Sequence, residues 1–348
     1  MDNKSFNPDD VGVNNGNYFG FPFTVEESEL VLLSAPWDVT TSYGGGAASA
    51  PDAIIEASTQ LDFYDPDCPN IWQRGIATAD IDYSIQDRSA RLRAIAKRII
   101  EGLEHGSTTL GDYLTQRQLE RINTASEELA VQLFAEADKL LSEGKIVGLV
   151  GGDHSTPLGV IKAVAKHHKG VGVLHIDAHR DLRKAYEGFT QSHASIMFNV
   201  LSEVPRVSRL VQVGVRDFCS AEAELAATDE RVVSFEQDTI DERLFAGESW
   251  GAICGDIVSA LPEKVYISFD IDGLSPDNCP STGTPVPGGL SFGEAVHLIK
   301  SIVRSGRTIV GFDLVEVACG KMGDLDANVG ARMLYKLCCQ TLKSNTKQ

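Results

Sequence analysis

The sequence predicts an α/β fold, a mostly parallel sheet covered by helices on both faces. Three observations predict it. Six short apolar runs, at 30–34, 146–150, 171–176, 210–215, 265–269 and 309–317, are nearly continuous and rich in β-branched residues, as strands buried on both faces are. Stretches between them carry apolar residues at three- and four-residue spacing, the pattern of amphipathic helices. Runs and stretches alternate along the chain, which builds parallel βαβ units rather than hairpins.

Taken in order, residues 1–28 are polar and rich in Asn, Gly and Asp and read as an N-terminal arm lying over the surface of a domain that spans 29–348. After the first run, Pro51 suits the first turn of a helix. The glycines at 44–46 are no phosphate loop, because no G-K-[ST] follows. The polar segment 105–125 reads as a loop. Residues 126–142 form a helix on Leu129, Leu133, Ala137, Leu140 and Leu141, stopped at Gly144. His167 and His168 close a helix ahead of Gly170, where a cation complements the helix dipole. His175 lies inside the run 171–176 and is read as facing away from the acidic residues that follow it. A further helix, 291–304, opens on Ser291 and Glu294 as a capping box and ends at Gly306. Cys338 and Cys339 lie on an apolar helix face and belong to the core. No repeat or internal boundary appears, so one domain is expected.

Composition narrows the function. The 348 residues hold 31 basic and 49 acidic side chains, a net charge of −18, with 43% hydrophobic and 23% charged residues. That is a globular composition. The charge argues against a nucleic-acid binder, which needs a basic face, and is compatible with a cationic substrate. No run approaches the ~20 apolar residues of a membrane span, and the opening residues lack the apolar core of a secretory signal. Seven scattered cysteines without a C-x-x-C pair fit a reduced, cytoplasmic protein with buried thiols.

In open α/β sheets ligands bind at the carboxyl ends of the strands, so the residues after each run carry the chemistry. The run 146–150 is followed by Gly151-Gly152-Asp153-His154-Ser155, and 171–176 by Asp177-Ala178-His179-Arg180-Asp181. The run 265–269 is followed by Asp270-Ile271-Asp272, and Glu316 stands near the end of the last run. In extended chain, residues two and four apart face one side, so Asp177, His179 and Asp181 converge, as do Asp270 and Asp272. Converging carboxylates cannot all stay ionised uncompensated. Two divalent cations cancel four negative charges, and an oxygen-rich site with two imidazoles suits Mn²⁺ better than zinc. Such a pair, about 3.5–4 Å apart, can share a water and lower its pKa.

At these residues the sequence resembles the ureohydrolase (arginase/agmatinase) family. The matching segments are GGDHS at 151–155, DAHRD at 177–181, SFDIDGLSP at 268–276, TGTPVPGGL at 282–290, DLVEV at 313–317 and YGGGAASAPDAIIEAS at 43–58. The resemblance implies a single three-layer α/β/α domain, a binuclear manganese centre and hydrolysis of a C–N bond in a guanidino or amidino group. It implies one ion on His154, Asp177, Asp181 and Asp270 and the other on Asp177, His179, Asp270 and Asp272, with Asp177 and Asp270 bridging. The catalytic residues are then His193, Glu316 and Asp181. Glu316 holds the substrate cation by charge-assisted hydrogen bonds, and His193 resembles the family's proton-shuttle histidine, a general-acid task that suits imidazole. Thr284, in the TGTP turn, either contacts the substrate or only stabilises the turn.

The substrate is less legible. Arginases usually have Asn where Arg183 stands and a second Asp two residues after the G-x-R-D acid, where this chain has Asp217-Phe218-Cys219. Both departures count against arginine. Arg183 makes a DLR segment like that of formimidoylglutamases and can clamp a substrate carboxylate, or it is a surface residue paired with an acid such as Glu187. The His193 segment departs from the H-G-T-P-F of agmatinases, yet shares their histidine and a similar acidic segment. The leading expectation is an agmatinase-like hydrolase that releases urea. Its alternatives are a hydrolase of free guanidine or small alkylguanidines, some of which resemble this family yet use Ni²⁺, and a formimidoylglutamase-like enzyme. Outside the class stand a two-metal phosphoesterase and a non-catalytic subunit of a hetero-oligomer. The resemblance also implies a homo-oligomer, a trimer or hexamer.

Overall fold

The computed structural model describes residues 6–320 and 325–346. Its centre is one sheet of eight strands: β1 (Leu30–Ala35), β2 (Ile76–Thr78), β3 (Ile146–Gly151), β4 (Gly172–Ile176), β5 (Arg209–Val213), β6 (Val232–Phe235), β7 (Lys264–Asp270) and β8 (Thr308–Val315). All pairings are parallel, in the order β2-β1-β3-β8-β7-β4-β5-β6. The six apolar runs are the six inner strands. The edge strands β2 and β6 are additional. They span three and four residues, too few to show a period.

Side-chain alternation divides the core in two. Along β1, Leu30 and Leu32 enter one apolar cluster and Val31, Leu33 and Ala35 the other. On the first face lie α1 (Ala50–Ser58), α8 (Trp250–Ala260), α9 (Phe292–Arg304) and α10 (Leu325–Ser344). On the second lie α2 (Tyr83–Glu104), α3 (Tyr113–Ser142), α4 (Leu158–His167) and α5 (Ile196–Glu203). The short α6 (Ser220–Thr228) and α7 (Gln237–Phe245) follow β5 and β6. This is the three-layer α/β/α architecture expected.

Two sequence readings change. Most of the segment read as a loop at 105–125 is helix: α3 begins at Tyr113 and runs for 30 residues. Its first half hides a sparse seam of Thr115, Leu119, Ile122 and Ser126, all buried, within an otherwise polar surface. The N-terminal segment does not merely lie over the surface. Tyr18, Phe19 and Phe21 are buried, and Phe19 and Phe21 pack with Phe63, Trp72 and Tyr335 in one aromatic cluster. Three aromatic rings outweigh the polar residues around them in deciding where the segment goes. Cys338 and Cys339 are buried in α10, as read. No helix among the described residues is long and apolar enough to cross a membrane.

The topology prepares the site. β3 and β4 are consecutive in the chain, yet β8 and β7 lie between them. The strand order reverses there, and the carboxyl ends of β3, β8, β7 and β4 stand side by side at the point where such sheets bind ligands.

Candidate metal centre and active site

Those four strand ends deliver the residues singled out in the sequence. Asp177 follows β4 and Asp270 is the last residue of β7. The turn after β3 is set by a steric contact: a Cβ on Gly152 would lie 1.7 Å from the carbonyl oxygen of Trp37. Only glycine lets the two backbones approach so closely, and the Asp153 N–H then donates to the same Trp37 oxygen at 2.7 Å. His154 follows. Its backbone N–H donates to Glu316 Oε1 at 2.9 Å, and the Glu316 N–H donates to Gly152 O at 2.9 Å. Glu316 itself takes a positive φ of 61°, which ends the last strand at Val315, two residues before the end of the apolar run.

His154 organises the first of two clusters. Its Nδ1 lies 2.9 Å from Asp177 Oδ2, 3.1 Å from Asp181 Oδ2 and 3.1 Å from Asp270 Oδ2. All four side chains are at most 5% exposed. The other ring nitrogen, Nε2, lies 2.9 Å from Ser268 Oγ, whose hydroxyl donates to Asp313 Oδ1 at 3.1 Å. Ser268 has one proton and gives it to Asp313, so it accepts from His154 Nε2–H. Nδ1 therefore faces three carboxylate oxygens; burial alone would lower the imidazole's pKa, but Asp177, Asp181 and Asp270 outweigh it and raise it well above the usual range, so this nitrogen holds a second proton unless a metal ion takes its place. The four atoms thus require positive charge among them, the second proton or a metal ion. Donors at about 2.1 Å from an octahedral ion stand about 3 Å apart, the spacing found here.

The second cluster shares Asp177. His179 Nδ1 lies 3.3 Å from Asp177 Oδ1 and 3.2 Å from Asp272 Oδ2. Asp270 stands in the first cluster through Oδ2, while its Oδ1 accepts the Asp272 N–H at 2.8 Å. All six expected ligand residues are thus brought together, and Asp177 is the carboxylate common to both groups. Burial and the neighbouring Asp177 push the Asp181 carboxyl up to about 7. Burial, with Asp272 and Asp177, raises that of Asp270 well above the usual range. The site is short of positive charge, and its donors, four carboxylates and two imidazoles, fit divalent ions.

A cavity of about 160 Å³ opens beside the clusters, lined by His179, Asp181, Arg183, Tyr186, His193, Asp217, Phe218, Glu222 and Thr284 among others. His193 is buried and its Nε2 has no hydrogen-bond partner. Burial, with the imidazoles of His179 and His154, pushes its pKa down to about 3, so the ring is neutral at physiological pH. Thr284 Oγ1 donates to Asp272 Oδ2 at 3.3 Å. Glu316 is buried beside the centre and is not among the residues lining the cavity; its Oε2 has no hydrogen-bond partner and faces the glycine at 283.

Other placements differ from the sequence reading. Arg183 pairs with Glu222 at 3.6 Å, not with Glu187, and its guanidinium lies 4.6 Å from the centre of the Tyr186 ring. His175 does not face away from the acids. Its Nε2 lies 2.8 Å from Asp177 Oδ2. The two residues are two apart, so strand alternation puts them on the same face. Asp217, the acid of the G-x-R-D segment, also lines the cavity, together with Tyr186 and Phe218. They come from loops that meet only in the fold.

Known proteins share both the family and the fold. The model of the Arginase family matches residues 28–339. The chain belongs to the arginase family. It is a ureohydrolase, a hydrolase acting on C–N bonds of amidines. It is 30% identical over 310 residues to the N(1)-aminopropylagmatine ureohydrolase of Thermococcus kodakarensis, covering 89% of this chain and 90% of that one. It is 29% identical over 297 residues to the agmatinase of Bacillus anthracis, covering 84% of each. Among solved structures, the agmatine ureohydrolase of Thermoplasma volcanium superposes with a TM-score of 0.68 at 22% identity, covering 92% of both chains, which shows a shared fold.

Proposed function

We propose that this ureohydrolase cleaves a small cationic guanidino compound of the agmatine type, using two divalent cations. The guanidinium R–NH–C(NH₂)₂⁺ and one water become urea and R–NH₃⁺, so atoms and charge balance. The observation that carries the reading is His154 Nδ1 facing three buried carboxylate oxygens beside a small cavity. His154, Asp177, Asp181 and Asp270 would hold one ion, and Asp177, His179, Asp270 and Asp272 the other. When bound, the ions supply a water whose pKa is lowered toward neutrality. The donor set favours Mn²⁺, with Ni²⁺ the alternative.

The chain's own residues do the rest. Glu316 Oε1 is occupied by the His154 N–H, which leaves Oε2 to accept from the guanidinium. The neutral His193 ring takes a proton at Nε2 and returns it to the departing amine. Asp217 is exposed at the cavity and offers a carboxylate to the ammonium at the far end of an agmatine-like substrate. Thr284 holds Asp272. Arg183 is engaged by Glu222 and Tyr186, which supports a role in shaping the cavity rather than in clamping a substrate carboxylate.

The small cavity and the Arg183–Tyr186 pair in its lining favour a second reading, free guanidine or a short alkylguanidine. Urea release with Mn²⁺- and Ni²⁺-loaded protein separates the two. Agmatine, guanidinobutyrate, arginine, guanidine, methylguanidine and formiminoglutamate form the panel, the last followed as formamide. Turnover of agmatine above guanidine supports the first reading, and the reverse order replaces it with the second. Light scattering on the same sample should show a trimer or hexamer.

A further inference from the structure

A seventh side chain bears on the two-cation centre. Ligand-type atoms of His154, His175, Asp177 and Asp181 all lie within 4.8 Å of one another, and by residue type alone His175 would count as another metal ligand. Its hydrogen bonds assign it differently. Gln212 Nε2 lies 3.0 Å from His175 Nδ1 and also donates to Arg180 O at 2.8 Å, while Gln212 Oε1 accepts from Arg180 Nη1 at 3.2 Å. The amide has one orientation that satisfies all three contacts; the flipped one sets its NH₂ against the guanidinium and its oxygen against a carbonyl. His175 Nδ1 is therefore an acceptor. The ring's proton is on Nε2, and it points at Asp177 Oδ2, 2.8 Å away. A nitrogen that carries a proton cannot ligate a metal.

We propose that His175 is a positioning residue for the centre, a fixed N–H donor that orients Asp177. The inference rests on the two-cation reading above. Asp177 is the carboxylate common to both clusters, and its Oδ2 lies between His154 Nδ1 at 2.9 Å and His175 Nε2. Its Oδ1 accepts the backbone N–H of His179 at 2.6 Å. With both oxygens held, the carboxylate cannot rotate away when an ion leaves. The brace extends outward. Arg180 is 2% exposed, donates to Ser234 at 2.8 Å, pairs with Glu236, and lies 4.1 Å from the centre of the Phe218 ring. Partners that orient a ligand in this way typically change metal affinity by about 10–100-fold when removed.

The test reads metal binding, not turnover. Mn²⁺ affinity and stoichiometry are measured by competition with a chelator for the wild type, His175→Phe, His175→Gln and Gln212→Leu. Thermal unfolding of each metal-free protein serves as the folding control. The wild type should bind two ions per chain. His175→Phe should still bind two at saturation, about 10–100-fold more weakly. His175→Gln, whose amide can restore an N–H donor, should recover part of the loss. Gln212→Leu, which frees the His175 tautomer, should weaken binding in the same direction, and it carries the test should His175→Phe not fold. A single ion per chain in saturated His175→Phe would make His175 a ligand and overturn the proposal. Unchanged affinity in His175→Phe, or in Gln212→Leu, would also overturn it. A wild type that binds no Mn²⁺ or Ni²⁺ would instead overturn the two-cation reading itself.

Discussion

A methyl group on Gly152 has nowhere to go. The oxygen it would meet, 1.7 Å away, belongs to the backbone of Trp37, which cannot swing aside as a side chain can. Gly152→Ala must therefore separate the turn after β3 from the Trp37 segment, or fail to fold. Overpacking of this kind typically costs about 1–3 kcal/mol, and more where backbone must move, and urea denaturation should show it as a lower midpoint or as insoluble protein. A wild-type midpoint would mean that the two segments part freely. Glu316 allows a gentler substitution. Glu316→Gln keeps the oxygen that accepts from His154 and removes the charge proposed to hold the guanidinium. Metal content should not change, and kcat/KM should fall by about 100-fold, the scale set by removing one charge-assisted hydrogen bond from the transition state. Near wild-type turnover in that variant would remove Glu316 from the substrate's binding set.

At the scale of elements, the tightest turn near the site is also its least comfortable. Tyr186 and Phe189 exchange backbone hydrogen bonds at 3.1 and 2.8 Å around Glu187 and Gly188, whose φ values are 53° and 88°. Two positive φ angles are what a type I′ turn needs, and Asn or Gly usually supplies them. Glu187 also has a buried oxygen, Oε2, without a hydrogen-bond partner. Burial, with Glu104 nearby, raises its carboxyl from 4.5 to about 7. The folded state thus holds this proton more tightly than the unfolded chain, and stability is lost as pH rises from about 4.5 through 7. Glu187→Gln keeps the strained backbone and removes the charge. It should leave stability unchanged at pH 4.5 and add about 1 kcal/mol at pH 8, after allowance for the half-exposed carboxyl. Thermal melts at both pH values decide it, and equal shifts at the two would mean that charge plays no part. The same scale shows what a sequence discloses. Inner strands were legible because burial on both faces leaves mostly apolar residues, and the acids after them stood out by contrast. The first half of α3 was not, because its seam is sparse and its remaining faces are wet. The edge strands were too short. His175 was misread from parity alone, although its spacing from Asp177 already placed the two together. Arg183, Tyr186 and Asp217 meet across loops, and no periodicity reports that.

For the molecule as a whole, charge and fold come together at the centre of the sheet. The chain carries an excess of 18 negative charges, and Asp177, Asp181, Asp270 and Asp272 are gathered where β3, β8, β7 and β4 end, nearly out of water. Folding these carboxylates together is unfavourable unless cations join them. Ions that bind only the folded state lend it their binding energy, about 2.7 kcal/mol for each ion present at a hundredfold excess over its Kd. Two ions then contribute about 5 kcal/mol, a large part of the ~5–15 kcal/mol that separates folded from unfolded chains. Stripping the protein with EDTA at pH 8 should lower its Tm by several degrees, and adding Mn²⁺ back should restore it. Raising the salt concentration should recover part of the loss, because screening weakens repulsion among the acids at the surface and does little for the four that are buried. Calorimetry with and without chelator, beside elemental analysis of the same samples, makes the comparison. Loss of both ions with no change in Tm would show that the carboxylates are accommodated without cations. Charge would then give no reason for a binuclear centre, whatever the fold and the motifs suggest.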